Sequence, residues 1–281
     1  IRESQDDVSL RIEHEKVKSE FVTLHGRGDL HLGVLLEKMR REGFELAVTP
    51  PQVLMKEDPA RPGVKLEPYE EVKIDTDLEY VAGIIDKLND RKGVLMDIEE
   101  QKDGRQLLTL KVPTRGLLGF RNALTTDTKG TAQFRSQFLE FDDYAGDIKK
   151  NSKGAIIQCV GSGTTTAYAL RKAEEKGTLF VGPGTPTYEG MVIGEHVLEA
   201  DMEVNAVRAK ATSNMRVTGA VEVVERLQAP KVMGLEECIA YIRADELVEV
   251  TPKWVRMRKK VLSQGERERA TRAAKNAKAG K

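Results

Sequence analysis

Apolar and polar positions alternate from Val8 to Glu13 and again from Glu20 to His25, which predicts two strands, because successive strand side chains point to opposite faces. The period then changes. Leu32, Leu35, Leu36 and Met39 fall at helical spacing opposite Glu37, Lys38 and Arg41, so an amphipathic helix with one buried face is expected. Asp29 is placed to cap its start, Arg40 and Arg41 complement the dipole at its end, and Gly43 stops it. Phe44 to Thr49 reads as a third strand.

Pro50-Pro51 ends that unit, and Lys56 to Pro68, with Pro59, Pro62, Gly63 and Pro68, has the composition of a linker. A second unit follows. Glu70 to Ile74 is a strand, Thr76 and Glu79 have the spacing of a capping box, and Val81, Ile84, Ile85 and Leu88 line one helix face. Val94 to Ile98 and Leu107 to Val112 are strands around an Asp103-Gly104 turn. Thr114 is placed to cap a second helix, and Ala132 to Phe141 is the last strand. Beyond Gly146 the pattern breaks into short strands between glycine turns (Ala155–Val160, Thr178–Val181, Met191–Val197, Met202–Val207, Val217–Val224), with helices near Tyr168–Lys176 and Leu235–Ile242. The last strands are expected at Leu247–Val250 and Trp254–Met257, with a frayed basic tail beyond Gly265. The expected fold is therefore α+β: two ferredoxin-like βαββαβ domains, the first incomplete at its N-terminus, and then a β-rich, barrel-like C-terminal domain. The boundaries read as 1–62, 63–143 and 144–281. Half a ferredoxin-like unit would leave a strand edge open to another chain, so an adaptor pairing with a protein strand is a minor alternative.

Composition narrows the chemistry. With 40% hydrophobic and 32% charged residues the chain reads as globular, and no apolar run approaches the roughly 20 residues of a membrane span. No signal or transit peptide is recognised at Ile1, so a cytoplasmic or plastid-stromal monomer is expected. Cys159 and Cys238 lie far apart in apolar surroundings, and His14, His25, His31 and His196 show no metal or nucleophile spacing. The zero net charge hides an asymmetry. Arg256 to Lys281 holds ten Lys or Arg against Glu266 and Glu268, a basic end on an acidic body that implies an anionic partner.

Three stretches hold candidate chemistry. Gly161 to Thr166 (GSGTTT) follows an apolar strand and precedes a helix, where backbone N–H groups can meet a phosphate. It lacks a third glycine and a GK[ST] ending, and a Thr-capped turn is the simpler reading. A small phospho-ligand enzyme with Glu189 or Glu195 as base is the alternative function. Asp127 to Gly130 is formally DxxG, but no P-loop accompanies it. The second stretch, Asn205 to Gly219, holds Arg208, Lys210, Asn214 and Arg216 with no acidic residue, the residue types that neutralise phosphates and reach base edges or 2′-hydroxyls. The third is Arg256, Arg258, Lys259 and Lys260, where strand alternation puts Arg256 and Arg258 on one face as a cationic stripe. Only 5% of residues are aromatic, so recognition of RNA by shape and phosphate is expected rather than stacking.

The wording HGRGDLHL followed by a helix and FELAV resembles the third domain of translational GTPases of the elongation factor G group. MRREGFELAVTPPQV, PTRGLLGFRN, YEGMVIGEH and DELVEVTPKWVRMRKK, in that order, resemble the BipA/TypA family. The resemblance runs over essentially the whole chain but covers only the C-terminal part of such a protein. It implies a ribosome-binding module that catalyses nothing alone, with GTP and Mg²⁺ held by a G domain outside this sequence. It further implies contact with large-subunit rRNA and the acceptor end of an A-site tRNA, and a role in 50S assembly and translation under stress or cold. TSNMRVTG keeps the family's Asn-Met-Arg core. The approach Lys210-Ala211-Thr212-Ser213 replaces the family's Lys-Lys-Leu-Thr, one cation fewer.

Overall fold

A computed structural model describes residues 9–14, 21–101, 103–148, 153–209 and 227–279. The chain divides into two compact units, Ile1–Gly33 with Pro51–Lys150, and Val34–Pro50 with Asn151–Lys281.

The first unit begins with an antiparallel pair, β1 (Arg11–His14) and β2 (Val22–His25). Helix α1 (Asp29–Arg41) follows, and its residues from Val34 belong to the second unit, as does β3 (Leu46–Val48). The chain continues through β4 (Lys56–Glu57), β5 (Lys65–Thr76), α2 (Leu78–Asp90), β6 (Val94–Glu100), β7 (Gln106–Pro113), α3 (Thr114–Leu117), α4 (Phe120–Asp127) and β8 (Gln133–Asp143). All pairs in this sheet are antiparallel. β5 is central, between β8 and β7, with β6 beyond β7 and β4 against the start of β5. Val72, Ile74, Leu108, Leu110 and Val112 pack beneath Ile84 and Leu88 of α2 and Phe120 and Leu124 of α4. The expected capping box does not form. Thr76 ends β5 with its side chain buried and its Oγ1 unbonded, and Asp77 takes the N-cap position without a side-chain bond. The helix expected from Thr114 is two short helices, broken where Gly119 adopts φ 68°, a left-handed conformation that glycine accepts without steric cost.

The second unit adds β9 (Ala155–Gln158), β10 (Gly163–Thr164), α5 (Ala167–Glu174), β11 (Gly177–Leu179), β12 (Pro186–Thr187), β13 (Met191–His196), β14 (Met202–Val204), α6 (Leu235–Tyr241), β15 (Glu246–Val250), β16 (Val255–Lys259) and α7 (Gln264–Ala279). Its main sheet has the order β14-β9-β13-β16-β15-β3, with β11 also on β13. The β14–β9 pair is parallel and the others are antiparallel.

The expected architecture is corrected on two points. The strands after Gly146 form no barrel: among the described residues the main sheet is open, ending at β14 and β3. β3 does not complete a ferredoxin-like half-domain. It pairs with β15, Val48 against Val248 and Leu46 against Val250, where its apolar side chains join the core of the second unit. The chain beyond Gly265 also differs from expectation, as α7 continues there.

Helices cover both faces of the main sheet. Leu36 of α1 with Cys238 and Ile239 of α6 packs on Ala155, Ile157, Val192, Val248, Val250 and Met257. Leu170 and Ala173 of α5 pack on Ile156, Met191 and Ile193 of the opposite face. Farther along that second face, toward β3, Arg258, Arg256, Leu247 and Glu249 are only partly buried and Ala47 is exposed.

Candidate nucleic-acid interface

Strand alternation sorts the cations of β16. Cross-strand partners share a face, so Met257 follows Val192 into the core while Arg258 stands beside Met191, and Arg256 beside Glu249, on the other face. The Arg256 guanidinium lies 5.0 Å from the Trp254 ring centroid and 5.9 Å from that of Tyr188. Among the described residues Arg256 has no ion pair, and its Nε is buried without a hydrogen-bond partner. Its cross-strand carboxylate, Glu249, accepts the Tyr188 hydroxyl at 2.6 Å. Burial first, and then that bond to a carboxylate, push the Tyr188 phenol well above its ordinary value, so it stays protonated and keeps Glu249 engaged. Arg258 donates to the Lys259 carbonyl at 3.2 Å, and Lys260 is exposed.

Lys259 goes the other way. Its ammonium is buried, 2.6 Å from Asp201, 2.7 Å from Asp245 and 2.9 Å from Glu246. Burial alone would lower its pKa, but the three carboxylates outweigh that and raise it to about 12. This ammonium has no free face for a phosphate, so Lys259 is withdrawn from the cationic stripe as an internal ion-pair centre.

Arg208 is exposed in the segment after β14. Its carbonyl accepts the Thr166 hydroxyl at 2.6 Å, and the neighbouring Ala206 N–H donates to Gln158 at 2.8 Å, which fixes the base of the basic run. Lys210, Asn214 and Arg216 lie outside the described residues. β14 and β16 are separated by β9 and β13, so Arg208 and the Arg256–Arg258 stripe belong to different parts of the sheet.

The Gly161–Thr166 turn is committed to structure. Thr166 caps α5 by accepting from Ala169 N, and Thr165 donates to the Gly182 carbonyl while accepting from Thr185 N. A side chain at Gly163 would collide with Val207. Glu189 accepts the Gln264 N–H and Glu195 stands 3.5 Å from Lys153, so neither is placed as a base over that turn. Two open depressions of about 600 and 590 Å³ lie in the first unit, and neither is lined by residues of this turn. Among the described residues no group of three or more His, Cys, Asp or Glu is arranged to hold a metal ion, and no helix is long and apolar enough to cross a membrane.

Sequence reasoning missed Trp254 as the companion of Arg256. The signal was its position two residues earlier, which places it on the same side of an extended chain.

A family model described as TypA/BipA C-terminal domain matches residues 153–264, and one described as Elongation factor G C-terminus matches residues 64–152. The chain carries a BipA/TypA-like C-terminal domain together with one related to elongation factor G. Among curated relatives, the large ribosomal subunit assembly factor BipA of Escherichia coli K12 is 41% identical over 276 residues, covering 98% of this chain and 44% of the relative. Those of Synechocystis sp. and Bacillus subtilis are 40% and 36% identical, over 92% and 97% of the chain and 42% and 44% of the relatives. The chain thus spans under half the length of these BipA proteins. The stretch matching the BipA domain contains both Arg208 and the β15–β16 hairpin.

Proposed function

We propose that this chain is an RNA-docking module of a BipA-like translational GTPase, and that its second unit meets ribosomal RNA through Arg208, Arg256, Arg258 and Lys260. On the same reading Lys210, Asn214 and Arg216 extend the basic run from Arg208 and contact the acceptor region of an A-site tRNA. Lys259 is left out because its charge is neutralised internally. The observation that carries the reading is Arg256: a strand-borne guanidinium, braced by two aromatic rings, with no ion pair among the described residues. A guanidinium in that state offers directed donors to a phosphate at little ordering cost.

The relatives are named as large ribosomal subunit assembly factors, which supports placing this module on the 50S subunit with a role in its assembly, and we extend the reading to translation under stress or cold. GTP hydrolysis with Mg²⁺ belongs, on this reading, to a G domain outside the present sequence, and the module acts in the cytoplasm or stroma. Filter binding to ribosomal RNA over a salt series tests it. Affinity that falls steeply with salt, and less steeply after Arg256→Ala with Arg258→Ala, is expected, whereas salt-insensitive or absent binding contradicts it.

A further inference from the structure

Trp254 is the only tryptophan in the chain, and 45% of it is exposed. It stands where the β15–β16 hairpin turns, and the turn holds it firmly. Thr251 N–H and Oγ1 both donate to the Trp254 carbonyl, at 2.8 and 3.0 Å, and Trp254 N–H lies 3.0 Å from Thr251 Oγ1. Arg40 of α1 donates to the carbonyl of Pro252 at the tip, and Glu37 clamps Arg40 with contacts of 2.8 and 2.9 Å. Exposed apolar side chains are common on this chain, and what sets Trp254 apart is that it is an aromatic ring on a hydrogen-bonded turn with cationic surroundings. Arg256 is the ring's neighbour, Lys253 is exposed on the tip, and Arg258 and Lys260 follow. Glu249 is the carboxylate facing Arg256, and Tyr188 engages it.

We propose that Trp254 is a stacking platform for one unpaired nucleobase, with the flanking phosphates taken by Arg256 and Lys253. The inference rests on the RNA-docking reading above and narrows it from phosphate contact to recognition of a splayed nucleotide. A base inside a helix already has both faces stacked and cannot use the indole, whereas an overhang or bulge offers a free face. A single aromatic platform serves a single base, which agrees with the scarcity of aromatic residues elsewhere in the chain.

The lone tryptophan is its own reporter. The full chain is titrated with two RNA hairpins of one stem sequence, both closed by the same non-nucleotide linker, one blunt and one with a short single-stranded overhang, and Trp254 fluorescence and affinity are followed. Quenching by the overhang hairpin alone is expected, with its affinity falling roughly tenfold in Trp254→Ala and staying within about threefold in Trp254→Phe. Unchanged blunt-hairpin affinity in both variants reports that they are folded. Equal fluorescence responses to the two RNAs, or overhang affinity unaffected in Trp254→Ala, would overturn the stacking inference and leave the docking reading standing. Failure of the wild-type chain to bind either hairpin at low salt would remove both.

Discussion

Lys259 Nζ sits 2.9 Å from the carboxylate of Glu246, its direct cross-strand neighbour, and both side chains are 2% exposed. Asp201 also accepts from Ala155 N at 2.8 Å, so one ammonium ties together β9, the start of β14, and the β15–β16 pair. Removing one partner of a buried pair strands the others. Lys259→Ala should therefore cost about 3–5 kcal/mol, read by urea unfolding, whereas exposed Lys260→Ala should stay within about 0.5 kcal/mol. Equal small losses in both variants would mean that the buried centre is not structural.

The same centre fixes a pH window. Lys259 is raised from 10.5 to about 12, so its contribution is full below the unfolded value and is lost as pH climbs through the folded one. Asp201 shifts the opposite way: burial disfavours its charge, but the Ala155 N–H and Lys259 overcome that and lower its pKa below 3.8. Its contribution is present above the unfolded value and fades as pH falls through the lowered one. Urea midpoints should change little through this cluster between about pH 5 and 10 and drop beyond pH 10.5, with a smaller alkaline drop in Lys259→Met. A parallel alkaline decline in both proteins would assign it elsewhere.

In the first unit, Glu67 is 1% exposed and accepts from Arg115 and from Ala145 N, while Arg115 also donates to the Gly146 carbonyl. Arg115→Ala leaves a buried carboxylate facing one backbone N–H and a 3.5 Å Tyr69 hydroxyl, and about 3–5 kcal/mol should be lost. Glu67→Gln with Arg115 retained should cost less, since an amide can still accept from the guanidinium. Chemical denaturation of the two variants separates these outcomes, and a Glu67→Gln loss as large as that of Arg115→Ala would contradict the account.

Glu37 shows how the hairpin tip is held. Hydrogen bonds from Arg40 and then Arg41 bring its pKa down from 4.5 to about 2, so this clamp persists in mild acid and loosens as pH falls from about 4.5 toward 2. Glu37→Gln frees Arg40 from its strongest partner. The expected stability loss is below about 1 kcal/mol, as for other largely surface pairs, but hydrogen exchange at Thr251 and Trp254 should accelerate. Unaltered exchange there would separate the tip from the clamp.

What the sequence made legible follows from which patterns are local. The elements from Glu70 to Phe141 announce themselves through period-two runs and the Ile84–Leu88 helix face, but β4 and the start of β5 at Lys65 lie inside the proline-rich stretch that reads as a linker. The Thr76–Glu79 capping box failed because Thr76 was needed as a buried strand residue, a tertiary demand overriding a local one. The partner of Leu46–Val48 lies two hundred residues away in β15, and no local pattern names it. Nor does composition reveal an open sheet, since short strands between glycine turns suit a barrel equally. In the cationic stripe the alternation was read for Arg256 and Arg258 but not extended to Lys259, which is in phase with buried Met257. Trp254 went unread because a low aromatic fraction speaks against many platforms, not against one.

The most direct test of the central claim is co-sedimentation of this chain with ribosomes over a salt series, for wild type, for Arg208→Ala, Lys210→Ala, Asn214→Ala and Arg216→Ala combined, and for Arg256→Ala with Arg258→Ala. Pelleting that weakens steeply with salt in wild type, with the slope reduced by roughly one unit for each phosphate contact removed, is the predicted result. Pelleting with the same slope in all three proteins would contradict the assignment of these cations to RNA.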